Sequence, residues 1–430
     1  MIRRLLAASL LAPTLLSAQA RPARPSAPPV LIHAGRVIDG VADQPRTDQG
    51  ILIQDQRIAA IGPWTEVRAK AGDVTVIDLG DRTVLPGLID AHTHVLLQGD
   101  ITAADWDEQL LRESIPYRTI RATAAAKRAL DQGFTTIRDI GTEGAMYADV
   151  DLKQAIARGV IPGPRMYVAT RAFAPTGKYP PNGFSWEIPL PGGVQFADGP
   201  EEIRKAVREQ VGHGADWIKI YVDGGYNYGD DGKLHSRLNY TDEELDAFVA
   251  EAHRLGRKVA GHAMGWDGID AALRHHFDSI EHGVGFTTDL MDRAVKQGTF
   301  WCPTLYVVAY VAPGRGGIYP RMVETASAAI REATKRGVKI AYGTDAGGYA
   351  WTEPMTGDFS ILVKSGMTPM QAIRTSTAVA AELLGQSRNI GTLEVGRYAD
   401  VIAVRKDPLA DISALADVSF VMKGGVVVKQ

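Results

Sequence analysis

Two imidazoles flank a single threonine in His92-Thr93-His94, and on a β-strand residues at i and i+2 project to the same side. That spacing makes a metal pincer. The preceding run Val84-Leu-Pro-Gly-Leu-Ile-Asp-Ala91 reads as a buried strand, so both histidines stand where it emerges at its carboxyl end. In a chain with 10 histidines a pair of this kind arises easily by chance. The metal reading therefore needs further ligand types at matching positions.

Such positions follow. In Trp217-Ile-Lys-Ile-Tyr-Val222, period-two alternation puts Ile218, Ile220 and Val222 on one face and Trp217, Lys219 and Tyr221 on the face toward a barrel interior. A lysine pointing into a lumen must be paired, neutralised or bound to metal, and a salt bridge to a lumen carboxylate is the plain alternative. Lys258-Val-Ala-Gly-His262 and Ser279-Ile-Glu-His282 each end a strand with histidine. Adjacent Glu281 and His282 break the alternation, which leaves open which of them faces inward. Lys339-Ile-Ala-Tyr-Gly-Thr-Asp345 ends on Asp345, a residue that in isolation could equally cap a turn. Asp90 shares the strand face of His92 and His94 and is a candidate to support them from behind, with a plain structural role as the alternative. Taken together, His92, His94, Lys219, His262, His282 and Asp345 all fall at carboxyl ends of strands. Imidazole nitrogens with carboxylate oxygens suit zinc or a similar divalent ion.

The elements that must position these groups are strands near 86–94, 135–140, 165–170, 217–222, 258–263, 279–283, 299–305 and 339–345, alternating with amphipathic helices. Thr241-Asp-Glu-Glu244 and Thr368-Pro-Met-Gln371 are capping boxes, and Gly256 closes the first of those helices. Eight strand–helix repeats predict an α/β fold of the (β/α)8 TIM-barrel type over 84–387, with its chemistry at the carboxyl ends of the strands. Short β-rich runs over 30–83 return over 388–430 and predict one small β-sandwich domain built from both chain ends.

At 430 residues, 45% apolar and 23% charged, the chain has the composition of a soluble globular protein, and its formal charge of -3 with no basic patch argues against nucleic acid. Residues 1–20 read as a cleaved secretory signal, followed by a linker at 21–29, so the expected location is secreted or periplasmic. The apolar core of that leader is short and broken by Pro13, so no membrane span is expected. Cys302, the lone cysteine, excludes an internal disulfide. Long loops at 171–198, 223–240 and 346–358 have the size of lids and pockets. Tyr221 is the candidate substrate-binding residue, able to offer a hydroxyl to a substrate carboxylate or a developing oxyanion; packing in the barrel mouth is its plain role.

Ala34-Gly-Arg-Val-Ile-Asp-Gly40, Pro86-Gly-Leu-Ile-Asp-Ala-His-Thr-His94, Ile280-Glu-His-Gly283, Gly343-Thr-Asp345 and Gly396-Arg-Tyr-Ala-Asp-Val-Ile402 together resemble the motifs of the amidohydrolase superfamily. The resemblance implies a distorted barrel beside a β-sandwich. It also implies a buried α metal on His92, His94 and Asp345, a β metal on His262 and His282, and a bridging Lys219 carboxylated by carbon dioxide. A carbamate suits that place because an ammonium has no lone pair to donate, whereas a carbamate is an anion with two oxygens. The run 217–225 and Val259-Ala-Gly-His-Ala263 are similar to the prolidase-like and carboxypeptidase-like branch, which includes ochratoxin-hydrolysing members. Membership of that branch implies two divalent ions, zinc by preference, and a small-molecule substrate with the amide bond of an acyl amino acid. It further implies attack by a metal-bridging hydroxide with Asp345 as general base, and a homo-oligomer, an octamer being one such form. The loop 171–183 lacks the Gly-Gly-His-Gly-like segment of many relatives, which leaves the side-chain preference open. Opening of a cyclic amide, lactone or ester by the same centre is the rival reaction, and a non-catalytic metal-binding scaffold is the rival of another class.

Overall fold

The computed structural model of the protein describes residues 28–99, 103–179, 181 and 183–430. The leader expected at 1–20 and most of the 21–29 linker lie outside the described residues. Strands β1 (Val30–Val37), β2 (Arg46–Gln54), β3 (Arg57–Pro63) and β4 (Thr75–Pro86) lead into β5 (Leu88–Thr93), β6 (Phe134–Asp139) and β7 (Arg165–Val168). Two short strands, β8 (Phe173–Ala174) and β9 (Gln195–Phe196), precede β10 (Trp217–Tyr221) and a hairpin of β11 (Asp223–Tyr228) and β12 (Leu234–Leu238). After β13 (Lys258–Ala263), β14 (Ser279–His282) and β15 (Phe300–Cys302), the chain ends in β16 (Val401–Val404), β17 (Val418–Lys423) and β18 (Val426–Lys429).

Both chain ends meet in one seven-stranded sheet of order β18-β17-β16-β4-β1-β2-β3. The long β4 is the join. It runs parallel to β1, and its last four residues pair antiparallel with β16. Ile32, Ile51 and Val84 share one apolar core with Val401, Phe420 and Met422, so the two arms of this continuous sheet are the layers of the terminal β unit.

In the centre, β5-β6-β7 form one parallel arc, and β10, β13, β14 and β15 run parallel in a second. Backbone bonds close the arcs on each other. Asp216 N donates to Val168 O at 2.7 Å on one side. On the other, Ala341 N donates to Trp301 O at 2.9 Å and Ala91 N to Tyr342 O at 2.8 Å. The strand expected over 339–345 is corrected here: backbone bonds tie the segment to its neighbours, but it forms no continuous ladder, with isolated bridges at Ile340 and Ala346. A Cβ on Gly343 would sit 2.2 Å from Cys302 Sγ and 2.8 Å from His92 Cβ, and Asp345 has a left-handed φ of 59°. A regular ladder cannot run through such a backbone. The loop expected over 223–240 likewise proves to be the β11–β12 hairpin, whose glycines at 224, 225, 229 and 232 hide a strand signal.

The alternation read in β10 is what aims Lys219. Ile218 and Ile220 pack with the helix residues Val207, Leu245 and Phe248, each buried aliphatic contributing about 1.5–3 kcal/mol. Trp217 instead joins Ala91, Ile140, Ala260, Cys302 and Ala341 inside the ring. Both capping boxes form, with Thr241 and Thr368 as N-caps reciprocated by Glu244 and Gln371. Among the described residues no helix is long and apolar enough to cross a membrane.

Candidate metal centre

The carboxyl ends of the strands bring the ligand-type residues together. His94 Nε2 lies 3.2 Å and His92 Nε2 3.5 Å from Asp345 Oδ1, and one ligand atom from each of the three falls within 4.8 Å of the others. The His282 ring centroid is 4.9 Å from that of His92 and 4.5 Å from that of His262. Lys219, His262 and His282 line the same cavity as His92, His94 and Asp345, so all six predicted ligands share one site. His92 Nε2 and Lys219 Nζ are buried without a hydrogen-bond partner. Buried polar atoms are rarely left so, and orphan nitrogens beside a carboxylate and three more imidazoles form a donor set that divalent cations fit. The residues fit the group.

Local backbone geometry resolves the Glu281–His282 ambiguity. His282 has a φ of 70°, which ends β14 in the left-handed region and breaks the two-residue period. Both side chains thereby reach the interior: Glu281 Oε2 lies 2.9 Å from His92 Nδ1, and His282 lines the cavity. Glu281 is itself held by Arg138 at 2.8 Å and by the Ser279 hydroxyl at 2.5 Å, every partner fully buried. From the sequence Glu281 is only the alternative to His282 as the inward-facing residue, and Arg138 is not singled out. The trace they leave there is a pair of charged residues inside strands otherwise fit for burial.

Each imidazole is oriented from its far side. His92 Nδ1 faces Glu281, His94 Nδ1 donates to Gly141 O at 2.9 Å, and His282 Nδ1 meets Thr304 Oγ1 at 2.7 Å, so on all three it is Nε2 that is left for a ligand. On His262 the Tyr226 hydroxyl of the hairpin holds Nε2 at 2.7 Å, so Nδ1 is the nitrogen left to a ligand. Asp90 accepts from the amides of His92 (3.0 Å) and Thr344 (3.1 Å) and from the Thr344 hydroxyl (2.6 Å). Its carboxylate ties β5 to the Asp345 segment through backbone, while the imidazole of His92 rests on Glu281. Tyr221 lies in the cavity wall with its hydroxyl 2.7 Å from Tyr179 Oη and 3.2 Å from Glu143 Oε1. Its one hydrogen is thus directed at those partners rather than at the centre of the cavity.

The electrostatics suit a cation site. Burial pushes His92, His262 and His282 well below the usual imidazole range, which keeps them neutral. Burial opposes charge on His94 as well, but its bond to Asp345 and the charges of Asp345, Glu143 and Asp139 raise it to about 9. Burial brings Lys219 down to about 8, against the pull of Glu281 and Asp345. Burial raises Asp90 to about 7. Desolvation would lift Asp345 too, yet His92, His94 and Lys219 hold it below the ordinary carboxylate value.

The cavity over the centre measures about 400 Å³. Val307, Val308 and Val311 of the helix Leu305–Arg315 form an apolar wall, and Tyr226 and Asn239 come from or follow the hairpin. Its size and mixed lining are those of a small-molecule site.

Residues 83–428 match the model of the Amidohydrolase family. The chain is 30% identical to an ochratoxinase of Aspergillus niger over 97% of its length and 91% of that protein. Among solved structures it is similar to a Xaa-Pro dipeptidase with methionine bound in its active site (34% identity, TM-score 0.81, covering 94% of this chain and 100% of that one). It is similar also to a prolidase complexed with N-methylphosphonate-L-proline (27% identity, TM-score 0.80, 94% and 100% covered). With that match, and with its histidines, lysine and aspartate gathered in one cavity, the chain belongs to the amidohydrolase family.

Proposed function

We propose that the protein is a dinuclear metal-dependent hydrolase of the amide bond in acyl amino acids or dipeptides, exported after loss of residues 1–20, with zinc as its metal. The observation that carries this reading is the gathering of ligand-type atoms of His92, His94 and Asp345 within 4.8 Å of one another, with the buried His92 Nε2 and the nearby Lys219 Nζ lacking a hydrogen-bond partner. The names of the relatives, an ochratoxinase and a Xaa-Pro dipeptidase, support the amide bond as the target.

His92, His94 and Asp345 would hold one ion, His262 and His282 the other. Lys219 would supply the shared anion: its amine adds to carbon dioxide, forming an N–C bond and releasing a proton, and the product is a carbamate. When bound, such cations make a nearby water acidic enough to ionise near neutral pH and polarise a carbonyl. Asp345 Oδ1 faces the two histidines, so Oδ2 is the atom that takes the proton from the attacking water and returns it to the departing amine, a poor leaving group as an anion. Glu281, Gly141 and Thr304 keep the imidazoles in the tautomer that ligation needs. Tyr221 contributes a wall of the substrate cavity.

The test is metal quantification on the purified protein together with a panel of dipeptides, N-acyl amino acids, ochratoxin A, lactones and esters. Two metals per chain and cleavage of acyl amino acids are the expected result. A metal-free protein, or a metal-loaded one that opens lactones and spares every amide, overturns the reading.

A further inference from the structure

The loop after β6, residues 141–144, does more than hold His94. Glu143 has a φ of 48°, a left-handed conformation that a non-glycine residue adopts at an energetic cost, and is followed by Gly144 at 85°. This backbone turns the Glu143 side chain into the wall of the cavity, where it is only 3% exposed. Gly141 has to be small for that: a Cβ there would lie 3.1 Å from the His94 ring and 3.4 Å from Glu143 Oε1. Two neutral donors fix the carboxylate, the Tyr221 hydroxyl at 3.2 Å on Oε1 and Trp106 Nε1 at 3.1 Å on Oε2. Oε1 stands 3.9 Å from His94 Nδ1, whose hydrogen goes to Gly141 O. The nearby Arg118 donates to the backbone carbonyl of Glu143 at 2.7 Å. Among the described residues no lysine or arginine forms an ion pair with the Glu143 carboxylate.

A buried carboxylate that faces a substrate cavity, is oriented by neutral donors and has no lysine or arginine paired with it is suited to receive a cation, because His94, the one imidazole beside it, has to be neutral to ligate a metal. Building on the amide-hydrolase reading, we propose that Glu143 is the subsite for the α-ammonium group of the substrate, so that the preferred substrates are dipeptides with a free amino terminus rather than N-acylated amino acids. The placement suits this. An α-ammonium nitrogen is separated from the scissile carbonyl carbon by one carbon, about 2.5 Å, and Glu143 is packed against His94, a ligand-type residue of the reacting centre. Tyr221, which gives its one hydrogen to Glu143 Oε1, keeps a lone pair as a second acceptor for the same ammonium. Lys178, exposed and lining the same cavity, gives the carboxylate of a dipeptide zwitterion an opposite charge as well.

The experiment compares L-Leu-L-Pro and L-Leu-L-Phe with their N-acetyl derivatives and with their des-amino analogues, in which 4-methylpentanoyl replaces leucyl, on the metal-loaded full chain and on Glu143→Gln. The des-amino compounds remove the charge without adding bulk. The expected result is kcat/KM about 10- to 100-fold higher for the free dipeptides than for the des-amino compounds, carried mainly by KM, and a collapse of that ratio toward unity in Glu143→Gln. Equal rates for free and des-amino substrates on the wild-type protein, or a ratio that survives in Glu143→Gln, overturn the subsite while leaving amide hydrolysis standing. Failure to cleave any of these amides removes the hydrolase reading and the subsite with it.

Discussion

Glu281 Oε2 lies 2.9 Å from His92 Nδ1, and the same carboxylate is clamped from its other oxygen by Arg138 at 2.8 Å, with all three side chains removed from solvent. The pair turns His92 so that its bare Nε2 faces the cavity. It also makes a buried ion pair part of the candidate metal site, which ties the fold to the proposed chemistry.

Glu281→Gln keeps the shape and removes the charge. Metal affinity should fall about 10- to 100-fold, as for other carboxylates behind a ligating imidazole. Stability should fall by about 3–5 kcal/mol, because Arg138 becomes a buried cation without its anion. Chelator competition and urea unfolding read the two effects, and unchanged metal affinity would show that Glu281 serves the fold alone.

Asp345→Asn should lower turnover at least about 10²- to 10⁴-fold, the range for loss of a positioned general base, while the fold is retained. The side chain is 16% exposed and its bonds are to His92 and His94, not to the apolar core, so the fold should be kept, while the metal-free protein should lose much of the stabilisation that the His94–Asp345 pair gives at neutral pH. Turnover within a few-fold of the wild type would assign the proton transfer elsewhere.

Lys219→Met should have opposite effects on the metal-free and metal-loaded protein. The fall of Lys219 to about 8 means that its ammonium destabilises the metal-free fold by on the order of 3 kcal/mol at pH 7. An apolar side chain of similar length relieves that penalty, so the metal-free melting temperature should rise, while metal content drops below two per chain. A lower metal-free melting temperature would mean that Lys219 already has a stabilising partner.

The metal-free protein should lose stability as pH rises from about 7 to 8. His94 is raised to about 9 from an unfolded value of about 6.5, so the stabilisation from its protonated form is complete below 6.5 and is lost as pH climbs through 9, on the order of 3 kcal/mol in all. Lys219, depressed to about 8, works in the opposite sense above that pH, which places the clean slope between 7 and 8. With metal bound His94 must be neutral, and the slope should vanish. Chemical denaturation at a series of pH values, with and without chelator, measures it; identical slopes in both states would contradict the coupling of His94 to Asp345.

The residues that could be read in the chain are those whose type alone announces chemistry. His92 and His94 advertise themselves by i, i+2 spacing, and Lys219 by its place on the lumen face of an alternating strand. His262 and His282 fall at strand ends that apolar runs mark clearly, and Asp345 closes a segment of strand composition. The supporting residues are less visible. Arg138 shows in the chain only as a charge inside a run fit for burial, and nothing local names its partner, since Glu281 is 143 positions away. The hairpin that brings Tyr226 to His262 is masked by its glycines, and the segment 339–345 has strand composition but passes too close to Cys302 and His92 to pair as one.

The sequence by itself determined the ligand types, the strands that carry them and the alternation that aims Lys219, because a strand fixes side-chain direction every two residues. Only the tertiary structure decided that Glu281 and His282 both turn inward, that Glu143 enters the cavity wall, and which nitrogen of each imidazole is left bare. Those outcomes depend on left-handed backbone at positions 143 and 282 and on contacts between distant strands, and neither is encoded in local periodicity.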